Sequence, residues 1–378
     1  MRKRCGLFLI VVWAGLLLTG VAAGAGDNGL PGFLAMPGFP SETPAFGVTA
    51  AALMDGRFIA WDGDAIFVED APGAGTFSVV ADGYAGDPGF IAVSPDGETA
   101  LLGAGFTGDM YLINVDDPGE PEVFVNTQNH FSGAYLNTNQ VLFDRALSVD
   151  PNDPFAMQPE LAILDLSGEP EVRTVVANKG TFSSGMTLSA CGYFAYAADG
   201  MTGETVRFTA PELQEAFAAN APLDWETDGE TFGMFPAPGP STHTDQATII
   251  FNGDGALTFV SEDAEVRGTA DPAGEDKHRY SAVYNPATKH VLATGTVFEN
   301  GGTTVSAWIS DAPFEGLPFG DVNRDGSVNA QDIQLVINTV LGIEPATSRI
   351  AYCADINRDG GVNAIDIQLV INAVLGLK

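Results

Sequence analysis

The sequence predicts a mainly β chain that ends in a small all-α module, and three observations carry that expectation. Gly and Pro number 45 and 23 among 378 residues, a share above average usage that favours many turns over long helices. Apolar residues make up 45% of the chain, enough for a sizeable core and too many for wholesale disorder. The last 58 residues then change character. Two near-copies of a 24-residue unit stand there, identical at 18 positions and offset by 34 residues.

The chain opens with Arg2, Lys3 and Arg4, an apolar stretch from Leu7 to Leu18, and the small-x-small pattern Ala23-Gly24-Ala25. Residues 1–25 are therefore expected to be a secretory signal peptide. The apolar stretch is too short for a confident membrane span and no second one follows, so a secreted, extracellular protein is expected. Sixteen basic residues face 49 acidic ones, a net charge of −33. That acidity repels phosphates and excludes nucleic acid or an anionic membrane as partner. After cleavage only Cys191 and Cys353 remain, too few for a disulfide framework. One bridge between them is open, and two buried thiols are the favoured reading.

From residue 26 to 316, short runs rich in Val, Phe, Thr, Tyr and Ala alternate with turn residues. A strand–turn–strand pattern recurs at Met54–Arg57, Ser94–Gly97, Leu136–Asn139, Ser189–Gly192, Asn252–Gly255 and Asn285–Thr288. Its spacings of about 32 to 63 residues bracket the roughly 40–50 residues of a β-propeller blade. The region resembles the bacterial repeat propellers in which SPDG-type turns join strands. Six turns suggest six blades, or seven if the N-terminal segment closes one; a pair of β-sandwiches is the alternative. One helix is expected inside it, capped by Thr209, with Pro211 in its first turn and Glu212 to Phe217 following.

The repeats at residues 317–378 carry the specific chemistry. Calcium takes six to eight oxygens from carboxylates, amides and backbone carbonyls on a sharply turned loop. Asp321, Asn323 and Asp325 fall at loop positions 1, 3 and 5, Gly326 permits the turn, and Ser327, Asn329 and Asp332 complete the set. Asp355, Asn357, Asp359, Gly361, Asn363 and Asp366 repeat those roles around Gly360. Position 12 is Asp where an EF-hand has Glu, and no incoming helix is expected before either loop. After each loop, Ile333, Val336, Ile337, Val340 and Leu341, and then Ile367, Val370, Ile371, Val374 and Leu375, fall on one helical face. The two helices are expected to pack through those faces.

These departures from the EF-hand resemble type I dockerin domains, and the match covers both loops. The resemblance implies two bound Ca²⁺ ions and a cohesin-bearing partner, as in extracellular polysaccharide-degrading assemblies. It also implies partner contacts at Ala330, Gln331 and Leu335 and at Ala364, Ile365 and Leu369. The best-known dockerins carry a hydroxyl pair and basic residues where this chain has Ala330-Gln331, Ala364-Ile365, Ile337-Asn338 and Ile371-Asn372. A more apolar contact than theirs is expected.

No G-x-S-x-G, H-E-x-x-H, P-loop or C-x-x-C pattern marks the large region as an enzyme. His130, His243 and His278 each precede a first strand in the expected blade order and so could gather at one channel mouth as a ligand or metal site. Separate loop histidines are the favoured alternative. Three functions follow: a propeller binding or accessory module, with carbohydrate as a possible ligand, tethered by its dockerin; a propeller glycoside hydrolase or lyase; or a propeller whose dockerin-like module is only a calcium-stabilised cap.

Overall fold

The structure is a computed structural model that describes residues 30–40, 47–150, 152–153, 156–180, 183–236, 239–245, 248–274, 278–299, 302–314 and 317–377. The expected signal peptide lies outside them. Strand β1 (Phe33–Ala35) is set apart from the strands that follow it in sequence. The first blade is β2 (Thr49–Ala52), β3 (Phe58–Trp61), β4 (Ile66–Glu69) and β5 (Phe77–Ala81). The second is β6 (Pro88–Val93), β7 (Thr99–Ala104), β8 (Asp109–Asn114) and β9 (Val125–Asn126). The third is β10 (Asn129–Asn137), β11 (Gln140–Ser148), β12 (Met157–Asp165) and β13 (Glu171–Ala177).

The fourth blade begins with β14 (Ser183–Leu188), β15 (Phe194–Asp199) and β16 (Glu204–Thr209). Helix α1 (Ala210–Ala219) and β17 (Leu223–Asp224) follow before β18 (Glu230–Met234) completes it; β17 pairs in parallel with β13. The fifth is β19 (Gly239–Thr244), β20 (Thr248–Asp254), β21 (Leu257–Ser261) and β22 (Val266–Ala270). The sixth is β23 (Arg279–Tyr284), β24 (Val291–Glu299) and β25 (Gly302–Ser310), and β1 pairs with β25 as its outermost strand. The N-terminal segment thus closes the sixth blade and adds no seventh.

The innermost strands β2, β6, β10, β14, β19 and β23 adjoin in turn, and β23 returns to β2. The ring is closed by period-2 alternation. Within β3, Ile59 and Trp61 face the second blade while Phe58 and Ala60 face the sixth, all four buried. Leu142 and Phe143 of β11 likewise divide between the fourth and second blades. Six apolar clusters result, one per seam. Each fully buried large side chain in them contributes about 1.5–3 kcal/mol by leaving water.

Five of the six expected turns join the first and second strands of their blades. In Ser94–Gly97, the Ser94 hydroxyl bonds the Asp96 carboxylate and takes the Thr99 N–H, while Gly97 supplies a φ of 77°. The exception is Asn252–Gly255, which lies between β20 and β21. The expected helix is α1: Thr209 and Glu212 form a reciprocal capping box, with Pro211 in the first turn.

The C-terminal module has α2 (Ala330–Val340), a short α3 (Arg349–Ala354) and α4 (Ala364–Val374). Its core is small: Val322, Val336, Cys353, Ala354 and Val370. The expected packing face overshoots by a turn, because Val340, Leu341, Val374 and Leu375 are exposed. Among the described residues no helix is long and apolar enough to cross a membrane.

Candidate metal centre and docking face

Each loop is wound by its own carboxylates. Asp321 accepts the backbone N–H groups of Asp325 and Gly326, at 3.1 and 2.8 Å, and Gly326 has φ 89°. Asp332 accepts Val322 N–H at 2.9 Å through one oxygen and Asn329 N–H at 2.9 Å through the other, so it binds loop to helix. Asn323 and Asp325 accept the next turns of backbone, and Ser327 turns its carbonyl toward the Asn329 amide. The second copy repeats this with Asp355 on Gly360, Asn357 on Asp359, Asp359 on Gly361 and Asn363 on the Gly361 carbonyl. Asp366 takes Ile356 and Asn363 N–H groups at 2.9 and 2.8 Å, and Gly360 has φ 92°.

The donors fit a calcium ion. Asp332 and Asp366 are fully buried carboxylates, and one oxygen of Asp355 is buried without a partner. Burial pushes the Asp321 carboxyl up, and the Asp332 charge adds to it. Asp355 is pushed up by burial too, with Asp366 and Asp359 adding repulsion. A divalent cation would relieve that repulsion and fill the open oxygen positions. The chain would hold one ion with Asp321, Asn323, Asp325, Ser327, Asn329 and Asp332, and another with Asp355, Asn357, Asp359, Gly361, Asn363 and Asp366.

Of the residues expected at a partner face, Ala330, Gln331, Ala364 and Ile365 are exposed at the starts of α2 and α4. Leu335 and Leu369 are half-buried, and Leu335 packs against the module's own core rather than standing clear of it.

The module is seated on the propeller, against the β14–β15 turn, the β21–β22 turn and helix α1. Glu262, beyond β21, accepts two bonds from Arg324 Nη1 at 2.8 and 3.0 Å, one from Arg349, and a 3.0 Å bond with His243 Nε2. Hydrogen bonding to His243 and the charges of Arg324 and Arg349 outweigh burial and hold its carboxyl well below the usual carboxylate range. Tyr352 donates to Gln214 of α1 at 2.7 Å and meets Tyr193 edge-on. Cys353 of α3 is disulfide-bonded to Cys191 in the β14–β15 turn, which corrects the favoured reading of two buried thiols.

The three histidines do not meet. His130 sits in the seam between the second and third blades, bonded to Thr127 and flanked edge-on by Phe90 and Phe143. His278 stacks on Tyr280 and meets Trp308 edge-on, at the entry to β23. His243 lies near the opposite, outgoing end of its strand, beneath the C-terminal module. The cause is the misassigned turn. Asn252–Gly255 ends the second strand of its blade, so counting back from it places His243 at the wrong end. Among the described residues no group of three or more His, Cys, Asp or Glu side chains is drawn together as a metal site, at the histidines or elsewhere.

Residues 319–375 match the family described as the dockerin type I domain. The C-terminal module is a type I dockerin domain. The large region is similar in fold to a gluconolactonase from Xanthomonas campestris, at 13% identity and TM-score 0.52, covering 73% of this chain and 88% of that one. It is also similar to a luciferin-regenerating enzyme, at 10% identity and TM-score 0.52, covering 75% and 98%. A calcium-binding regucalcin from Agrobacterium tumefaciens gives 12% identity and TM-score 0.50, covering 76% and 97%. At such identities the likeness is one of fold. No curated protein matches the chain.

Sequence reasoning missed the seat. A signal was present: in a chain this acidic, the dockerin repeats both place Arg at loop position 4, Arg324 and Arg358, and Arg349 opens α3.

Proposed function

We propose that the chain is a secreted propeller, residues 26–316, that acts as a binding or accessory module and is tethered to an extracellular polysaccharide-degrading assembly by the calcium-loaded dockerin, residues 317–378. The observation that carries this reading is the division of the dockerin surface. Its contacts with the propeller come from Arg324, Arg349, Tyr352 and Cys353, whereas Ala330, Gln331, Ala364 and Ile365 on α2 and α4 stay exposed. An apolar partner face on a cohesin-bearing protein suits them. The test is capture of extracellular proteins by the full chain with calcium and with chelator. A cohesin-bearing protein retained only with calcium supports the tether. Its absence under both conditions leaves the dockerin as a calcium-stabilised cap.

A propeller enzyme acting on polysaccharide is the second reading, favoured by one feature. Lys179 is fully buried, 3.8 Å from Asp144 and within reach of the Asp199 charge, and burial pushes its pKa down. Perturbed buried groups of this kind collect at functional sites as well as in structural ion-pair networks. Loss of polysaccharide cleavage in Lys179→Met with an unchanged melting temperature would favour the enzyme; no cleavage by the natural chain removes it.

A further inference from the structure

The two loops are near-identical in sequence but not in surroundings. In the first, Arg324 stands between the expected ligands Asn323 and Asp325, with φ 61° in the left-handed region. Its guanidinium is clamped by both oxygens of Glu262, and the two side chains are 11% and 13% exposed. In the second, Arg358 occupies the same position with φ 55°, but it is exposed and makes no hydrogen bond or ion pair among the described residues. Desolvation by burial pushes its pKa down, and the charges of Asp245 on the propeller and of Asp355 oppose that without forming an ion pair. The unpartnered buried carboxylate oxygen belongs to the second loop, on Asp355, and Asp321 has no counterpart to it.

We propose that the propeller is a working part of the first calcium site, with Glu262 and Arg324 as positioning residues, so that the two dockerin loops bind calcium inequivalently. Two physical effects point the same way. Fixing Arg324 fixes the backbone that carries Asn323 and Asp325, so the first loop loses less conformational freedom when the ion arrives. Glu262 also sets a carboxylate charge against Arg324 and Arg349, which offsets part of the positive charge that would otherwise repel a divalent cation nearby. The second loop lacks the clamp, and Asp245 acts on Arg358 by charge alone, without a hydrogen bond or ion pair that would fix the loop. By linkage, calcium in the first loop tightens the seat by the same factor that the seat tightens calcium.

The inference rests on the calcium reading of the loops. The experiment is calorimetric calcium titration of the full chain, with hydrogen exchange followed separately in residues 321–328 and 355–362. The natural chain should bind two ions whose affinities differ by about tenfold, within the usual range for coupled sites. Without calcium, the first loop should exchange more slowly than the second. Glu262→Gln should erase both differences and leave the second loop unchanged. Arg324→Met, which keeps Glu262 paired with Arg349 and His243, should loosen the first loop in the same way even if Glu262→Gln unseats the module. Tyr352→Phe, which removes a seat contact remote from Glu262, should change neither loop. Two ions of equal affinity, or an effect of Arg324→Met on both loops alike, overturns the inference and leaves the calcium reading standing. A natural chain that takes up no calcium overturns both.

Discussion

The propeller and the dockerin are stabilised by different means, and the difference shows how each depends on its surroundings. The propeller has six apolar seams, with Trp61, Phe143, Phe208, Phe251 and Phe259 among its fully buried side chains. The dockerin has five small buried residues and two loops whose carboxylates repel one another. A module of this size does not stand on its core alone. The Cys191–Cys353 bridge and the Glu262 ion pairs add to that core, and bound calcium would add further.

Chelation should break that comparison most sharply. With calcium removed, the dockerin should lose helical circular dichroism, chiefly from α4, whose loop has no clamp on the propeller, while the propeller's tryptophan fluorescence and strand signal persist. Structural metal sites of this kind couple binding directly to folding. A full chain whose helical signal is the same in calcium and in chelator would show that the dockerin folds on its core and seat alone.

The bridge is the next test. It spans 162 residues, and removing such a link typically costs about 2–4 kcal/mol. The cost should fall on the dockerin and its seat, not on the blades. In Cys191→Ser/Cys353→Ser, the calcium-loaded dockerin should melt earlier and protease should cut near residues 315–320. The propeller transition should stay where it is. A shift of the propeller transition equal to that of the dockerin would mean that the two unfold as one unit.

The propeller has its own sensitivity, to protons rather than to calcium. Burial lowers the His130 pKa from 6.5 to about 4. Between those values the unfolded chain carries a proton that the folded one excludes, so protonation favours unfolding. The stabilisation is complete above pH 6.5 and is lost as pH falls toward 4. A shift of this size corresponds to at most ~3 kcal/mol. His130→Phe should flatten the melting temperature over that window; an unchanged slope would assign it to other groups. Glu262 acts at lower pH. Its depressed pKa stabilises the seat above the ordinary carboxylate range, and that contribution fades only as pH falls below about 4.5.

Legibility followed how local each signal was. The dockerin loops were readable because calcium fixes residue types at fixed positions, and the blades because period-2 alternation and turn residues repeat. The α1 cap was readable for the same reason: Thr209, Pro211 and Glu212 are neighbours. The seat was not, since Glu262, Arg324, Arg349 and Gln214 come together only through tertiary folding. The histidine grouping failed at one turn. Asn252-Gly253-Asp254-Gly255 looks like any hairpin turn, and nothing in its composition says which pair of strands it joins.

The smallest expected effect separates helix periodicity from real burial. Val336 of α2 and Leu341, just past its end, lie on one expected stripe, yet Val336 is fully buried and Leu341 is 67% exposed; Val370 of α4 and Leu375, just past that helix, differ in the same way, 0% against 64%. The stripe outruns the module because α2 ends at Val340 and α4 at Val374, one residue short of each leucine. Leu341→Ala and Leu375→Ala should therefore change dockerin stability by no more than about 0.5 kcal/mol, as exposed substitutions do. Val336→Ala or Val370→Ala opens a cavity in a core of five residues and should cost clearly more. Calcium-saturated melts of the four variants decide the matter. If the Leu variants lose as much as the Val variants, those leucines are buried in solution and the dockerin core extends a full turn farther along both helices.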